Sequence, residues 1–236
     1  MSRKSLFLAI AIVLFMLGTT CAALYVLVRH EPAFYVRGEV PSGEQRKELS
    51  KAFVSEFLSG IVNNFYSKHS WEGRFNEEGI NSYFAEDLLT KHSAENPLPK
   101  GISGPRVALE ADRIRLGFRY GSGWKSTVVS IDMRVWLVNK EPNVVALEFE
   151  KIHAGCLPIS AQSLLDQAAD FAHQKDIEAM WYRHNGRPVL VLRFEADKSN
   201  PRFQITRLEL RPGKLCIGGR APEATVPAAL AAGPNS

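Results

Sequence analysis

The chain has 236 residues, 45% of them apolar and 23% charged, with a formal net charge of +4. This balance excludes wholesale disorder and a multi-span channel. The mild charge comes with neither a helix-turn-helix nor a ribonucleoprotein-type aromatic strand, which argues against a nucleic-acid partner.

From Leu6 to Val28 the sequence carries no charge. At about 1.5 Å per residue a helix of that length covers about 34 Å, enough for a hydrocarbon core of about 30 Å. Leu, Ile, Val and Phe dominate the run, so insertion as a transmembrane helix is favoured. The rival reading is a cleaved signal peptide, since Arg3 and Lys4 make a basic start and Cys21, Ala22 and Ala23 are small residues near a cleavage-like position. Leu24 to Val28 prolong the apolar run past those residues, which favours an anchor. With Arg3 and Lys4 on a stub of residues 1–5, the N-terminus is expected to stay in the cytoplasm. The expected localisation is therefore the cell membrane, single-pass, with the domain extracytoplasmic. In a thiol-poor space Cys156 and Cys216 are candidates for a disulfide. The alternative is two separate buried thiols behaving as small apolar side chains.

Residues 29–41 read as a linker and 42–218 as one domain, since roughly 170 residues suit a single core. Residues 219–236, rich in Ala and Pro and without apolar periodicity, read as a disordered tail. Ser42 and Gln45 have capping-box spacing and open a helix through Leu49, Phe53, Phe57, Leu58, Ile61 and Phe65 to about Lys68. This helix packs on the domain or lies on the membrane surface. Its mixed Glu and Lys content favours packing. An extended piece, Trp71 to Phe75, leads to Asn76, which caps a second helix through Ile80, Tyr83, Phe84, Leu88 and Leu89.

After a loop through Pro97, Pro99, Gly101 and Gly104, the period becomes two. Ile114, Leu116, Phe118 and Tyr120 alternate with Arg113, Arg115, Gly117 and Arg119. Gly121-Ser122-Gly123 marks a turn, and Thr127, Val129, Ile131, Met133, Val135 and Leu137 share one side of a second strand. Val145, Leu147 and Phe149 form a third. Ser160 is expected to cap a helix through Leu164, Leu165, Ala168 and Phe171. Asn185-Gly186 joins a hairpin of Ile177 to His184 and Arg187 to Glu195. Pro212-Gly213 joins a last pair, Phe203 to Leu210 and Lys214 to Ile217. The expected fold is α+β, an N-terminal transmembrane helix plus one domain with a long curved antiparallel sheet packed on one or two helices.

Phe75-Asn76-Glu77-Glu78-Gly79-Ile80-Asn81, the strand Val144 to Phe149, and Gly155-Cys156-Leu157-Pro158-Ile159-Ser160 together resemble the YpmS-type envelope proteins. More distantly they are similar to the tubular lipid-binding superfamily. The resemblance covers Trp71 to Ile217 and carries no catalytic residue. It implies a concave apolar surface suited to an acyl chain. The Arg-rich outer face and Trp-rich strands depart from that pattern and leave the ligand's identity open.

The sequence carries few marks of catalytic chemistry. His30, His69, His92, His153, His173 and His184 lack metal-ligand spacing, so neither metal nor cofactor is expected. There is no Gly-rich phosphate loop and no nucleophile elbow, and non-enzymatic action is the expectation. His153 near Cys156 reads as a strand-end histidine beside a structural thiol. Glu148 and Glu150 fall within carboxylate-pair range, but Arg113, Arg115, Arg119 and Arg134 suit a salt-bridge ladder with them and with Asp132. Trp124, Trp136 and Trp181 read as core first and groove lining second. The candidate apolar groove is Ile114, Leu116, Phe118, Ile131, Met133 and Val135, since strands this long exceed what one helix covers. A lipid or other apolar ligand is the leading partner. A structural or assembly role through an envelope protein partner is the alternative, with the Arg-rich face or the helix from Ser42 as its contact.

Overall fold

A computed structural model describes residues 3–61, 70–88, 98, 101–139, 141–160, 166, 177–194 and 203–220. The charge-free N-terminal run folds as helix α1 (Arg3–Arg29), and Ile10–Arg29 is long and apolar enough to cross a membrane. The stretch expected to be a linker instead carries a short helix, α2 (Ala33–Arg37), with Phe34 and Tyr35 buried. Two bulky aromatics that follow directly on an apolar helix bury against the domain's own surface and not in water.

Helix α3 (Glu44–Glu56) continues through a wider π turn, Phe57–Ile61. Gly43 stands at its N-cap position and no side chain caps it, so the capping box expected at Ser42 does not form. Phe53 turns inward, its ring 5.3 Å from Phe75 and 4.9 Å from Tyr83. That contact places α3 on the domain. The stretch expected to carry this helix from residue 62 to Lys68 lies outside the described residues.

Strand β1 (Trp71–Asn76) runs into helix α4 (Glu77–Tyr83), which widens into a π turn at Phe84–Leu88. Asn76 is the cap expected of it, its Oδ1 accepting from the Gly79 N–H at 2.6 Å. Leu89, the expected last member of that helix, falls outside the described residues.

The remaining strands are β2 (Ile102–Leu109), β3 (Ile114–Tyr120), β4 (Thr127–Leu137), β5 (Val144–Ala154), β6 (Leu157–Pro158), β7 (Glu178–His184), β8 (Arg187–Arg193), β9 (Gln204–Arg211) and β10 (Lys214–Arg220). They form a seven-stranded antiparallel sheet in the order β2-β3-β4-β5-β8-β7, with β6 beside β5, and a three-stranded sheet ordered β1-β10-β9. The Asn185-Gly186 hairpin turn falls where expected, with Asn185 at φ 51°. Leu157-Pro158 makes a short strand. Beyond Ser160, the helix expected through Leu164, Leu165, Ala168 and Phe171 lies outside the described residues, as do residues 221–236 of the expected tail.

Strand β2 was not expected, and its sequence explains why. Gly104 at φ +54° and Pro105 interrupt the ladder, whose register shifts between Ser103 and Arg106. Pro is tolerated because β2 is an edge strand. Beyond the bulge Val107, Ala108 and Leu109 are all buried, so no alternation of apolar and polar residues marks the strand.

An edge strand presents unpaired backbone groups, and here each outward group of Val107 and Leu109 is answered. The Asn81 side chain donates to the Val107 carbonyl at 2.9 Å and accepts from the Val107 N–H at 2.8 Å. The Glu77 carboxylate accepts from the Leu109 N–H at 2.8 Å, and the Gly213 N–H donates to the Leu109 carbonyl at 2.8 Å. Helix α4 and the β9–β10 turn thus seal the large sheet and weld the small sheet to it. Asn143, in the left-handed region at φ 57°, adds a second weld. Its side chain donates to the Phe203 carbonyl at 2.6 Å and accepts from the Ile205 N–H at 2.8 Å.

Replacing Asn81 by Leu strands two buried backbone groups, for an expected loss of about 2–5 kcal/mol. Asn76→Ala removes one exposed-end cap and is expected to cost about 1 kcal/mol. Urea denaturation of the detergent-solubilised full chain checks the order.

Candidate functional site

Strand register brings the inward side chains into cross-strand rows. Leu116, Ile131 and Ile152 stand side by side, as do Ile114, Met133 and Phe149, then Val135, Leu147, Leu190 and Trp181, then Leu137, Val145, Leu192 and Ala179. Successive rows are about 7 Å apart, twice the rise per residue. Phe118, Val129, Ile131, Phe149, Ala179 and Leu190 form the buried heart of this face, with Leu116, Met133, Leu147, Ile152, Trp181 and Leu192 partly buried around it.

All six residues of the expected groove share this face, but they do not share one environment. Phe118 and Ile131 are buried in its centre, and Leu116 and Met133 pack beside them. Ile114 belongs to a second cluster, where Trp71, Phe75, Ile80, Val107 and Leu109 meet residues of the small sheet. The small sheet and helices α3 and α4 therefore fill the β2–β3 flank. Val135 remains half-buried farther along β4. The rest of the face, on β5, β7 and β8, lies outside the six expected groove residues, although Trp181 is read as a secondary lining and Val145, Leu147 and Phe149 as a strand face. Its members alternate as strand residues do everywhere, and only the register reveals that their rows align.

The tryptophans separate. Trp181 lies on the apolar face, its ring 5.7 Å from Phe149, and its indole N–H has no acceptor among the described residues. Trp136 points to the opposite face at 37% exposure, and Trp124 sits on the β3–β4 turn at 71%. Neither of these lines the groove.

The opposite face is charged at one end and apolar at the other. A β-bulge between Asp132 and Met133 leaves Glu150 as the extra residue of β5. Its carboxylate gathers Arg113 at 3.3 Å, Arg134 at 3.1 Å and Arg187 at 3.1 Å. Arg187 also reaches Glu148 at 3.3 Å, and Arg115 meets Asp132 at 3.1 Å. This is the expected ladder, extended by Arg187 from β8; Arg119 is not part of it and pairs with Glu31 at 2.6 Å.

At the other end of that face α2 lays Phe34 and Tyr35 over Ala108 and Val128. Gly117 makes the room, since a Cβ there would stand 2.7 Å from Tyr35 Cδ2 and 3.1 Å from Phe34 Cζ. Arg106 stacks 4.4 Å from the Tyr35 ring centroid and Arg115 4.5 Å from that of Phe34. The Tyr35 hydroxyl donates to the Gly104 carbonyl at 2.7 Å.

Helix α1 joins the domain through its own backbone. The Leu27 carbonyl accepts from the Cys156 N–H at 2.9 Å and the Val28 carbonyl from the Thr127 hydroxyl at 2.5 Å, satisfying groups a helix end leaves unpaired. Gly155, at φ +59°, allows the approach, because a Cβ would meet the Leu27 and Val28 oxygens at 2.3 and 2.4 Å.

Cys156 and Cys216 are not paired in this structure. Cys156 is exposed on the β5–β6 turn beside α1, whereas Cys216 is buried in β10 of the small sheet, and both are free. His153 is half-buried on β5. A surface cavity of about 370 Å³ lies away from the sheet face, between the α2–α3 turn and α4. Arg37, Glu39, Arg46, Glu77 and Glu78 line it, giving mixed charge unsuited to an apolar guest. Among the described residues no group of three or more His, Cys, Asp or Glu could hold a metal ion.

Comparison with protein-family models, curated proteins and solved structures finds no match to this chain.

Gly117→Val is expected to displace the aromatic pair and cost about 1–3 kcal/mol in a thermal melt. Burial pushes the Tyr35 hydroxyl above its ordinary value, against the opposing pull of Arg106 and Arg119. The contribution of a neutral buried phenol is complete below the ordinary value of about 10 and is lost as pH rises past it. Melting temperature should fall above about pH 10, and Tyr35→Phe should remove that part of the fall.

Proposed function

We propose that the chain is a membrane-anchored, non-enzymatic extracytoplasmic domain that binds a lipid acyl chain on the apolar face of its large sheet. One observation carries the reading. The rows from Leu116 to Leu192 make a continuous apolar strip whose flanking members stay only partly buried, and the strip runs along β4 and β5 from the end where Thr127 meets α1. Partly buried rows of this kind are what a protein offers to an apolar guest. The acyl chain is the occupant that α1 brings within reach, because the same helix that touches β4 is long and apolar enough to lie in a bilayer. The Trp181 indole supplies a donor beside the strip for an ester or headgroup oxygen.

Arg3 and Lys4 at the start of α1 support a cytoplasmic N-terminus. Cys156 offers a direct measurement, since it is exposed, whereas Cys216 is buried and Cys21 lies within the candidate span. A membrane-impermeant maleimide added to intact cells should label the chain, and Cys156→Ser should abolish the label. Labelling only after lysis would reverse the orientation.

A second reading, a structural or assembly factor of the cell envelope, is favoured by Phe57 and Leu58, 42% and 47% exposed at the end of α3. Crosslinking in intact cells from that helix tests it.

For the leading reading, full-length chain extracted in detergent should carry lipid detectable by mass spectrometry and take up a fluorescent acyl probe. Val135→Arg, which sets an unpaired charge beside the strip, should weaken probe uptake about tenfold or more. Undiminished uptake in that variant, or no lipid and no uptake in the unaltered chain, would remove the carrier assignment.

A further inference from the structure

We infer that the β3–β4 turn is an interfacial anchor, with Trp124 held in the phospholipid headgroup layer of the bilayer that α1 crosses; the inference rests on α1 being a membrane span. Trp124 is 71% exposed at the centre of a short 3-10 turn, Gly123–Lys125. A single exposed aromatic on a turn is unremarkable in a soluble protein. Here its position is fixed relative to the span. The Arg29 guanidinium, on the last residue of α1, donates to the Trp124 carbonyl at 2.8 Å, and three residues later Thr127 bonds the Val28 carbonyl.

Two more exposed aromatics lie at the same level. Tyr25, one turn before Arg29 on α1, and Tyr120, opposite Thr127 across the β3–β4 register, are each 53% exposed. Arg29 sits 5.8 Å from the Tyr25 ring centroid and Lys125 5.1 Å from that of Trp124. Neither cation has a carboxylate partner among the described residues. Trp and Tyr favour the membrane–water boundary because one end of each ring system is apolar and the other donates a hydrogen bond. Cations beside them can reach lipid phosphates while their stems stay in the apolar layer. A span end, three aromatics and two cations without a carboxylate partner among the described residues converge on one depth, which is the composition of a membrane-interface belt.

The test uses the full-length chain reconstituted in phosphatidylcholine vesicles, with and without lipids brominated near the top of their acyl chains. Trp71 is buried in the small sheet and Trp136 lies on the charged face, so neither shares the depth of Trp124; Trp181, which a brominated acyl chain on the apolar strip would quench, is replaced by Phe in every chain compared, the otherwise unaltered one included. Brominated lipid should quench the tryptophan emission of the unaltered chain. Trp124→Phe should remove most of that quenching, whereas Trp136→Phe, which also removes an exposed indole, should leave it. Quenching that is absent, or equal in the Trp124→Phe variant and the unaltered chain, overturns the inference. Alkaline extraction of the same vesicles separates the two levels of failure. A chain that is retained but unquenched loses only the turn's role, and a chain that is stripped off loses the span and this inference together.

Discussion

The architecture depends on how one interrupted edge strand disposes of its backbone. Strand β2 would leave Val107 and Leu109 with donors and acceptors facing outward in an apolar setting, where each lost partner is expensive. Asn81 answers one residue by imitating a neighbouring strand, offering an acceptor and a donor in the spacing of a peptide group. Glu77 and Gly213 answer the other. The three groups that supply these partners come from a helix and from a turn of the other sheet. Closing the edge therefore also fixes where α4, the small sheet and, through Phe53 and Phe75, α3 must lie.

The two faces of the large sheet then acquire different fates. On the inner side the small sheet covers the β2–β3 flank and leaves the rows across β4, β5, β8 and β7 as a separate apolar field. On the outer side two aromatics cover the end near α1, and arginines and carboxylates cover the rest. Glu148 and Glu150 share a side by the period of two, one carboxylate meets three guanidiniums, and the extra residue shifts the phase of β5 so that Ile152 faces the apolar rows beyond. Charges matched this closely leave little net field on that face, which makes it a poor site for a charged ligand.

Much of this was legible in the sequence where a single rule dominated. The helix of the charge-free run before Arg29, the period of two from Ile114 to Leu137, the Asn76 cap and the Asn185-Gly186 turn each have one physical cause, and each of these elements forms. The failures share a different cause. Phe34 and Tyr35 look like linker residues because their partner, the gap over Gly117, exists only after β3 and β4 pair. Strand β2 is hidden because both of its sides are covered, which erases alternation. Ser42 has the right spacing for a cap, but the helix begins one step later at Glu44. The groove residues were recognised as one face, yet whether Ile114 is lining or filling depends on a second sheet that no local pattern announces. Asn81 shows both sides of this. As a residue it was visible within the motif that begins at Phe75, but its work lies with a strand whose existence the sequence concealed.

The junction between α1 and the domain has a mechanical meaning. Two consecutive carbonyls of a helix point about 100° apart around its axis, and here each is gripped by a different element, one by the β5–β6 turn and the other by β4. A grip on one carbonyl alone would leave a pivot, whereas two in different directions remove rotation about the axis as well as tilt. The helix thus behaves as a keyed shaft and not as a rope. Any twist or axial stroke of this long apolar helix is delivered to β4 and β5, which hold its end at a single height and bearing.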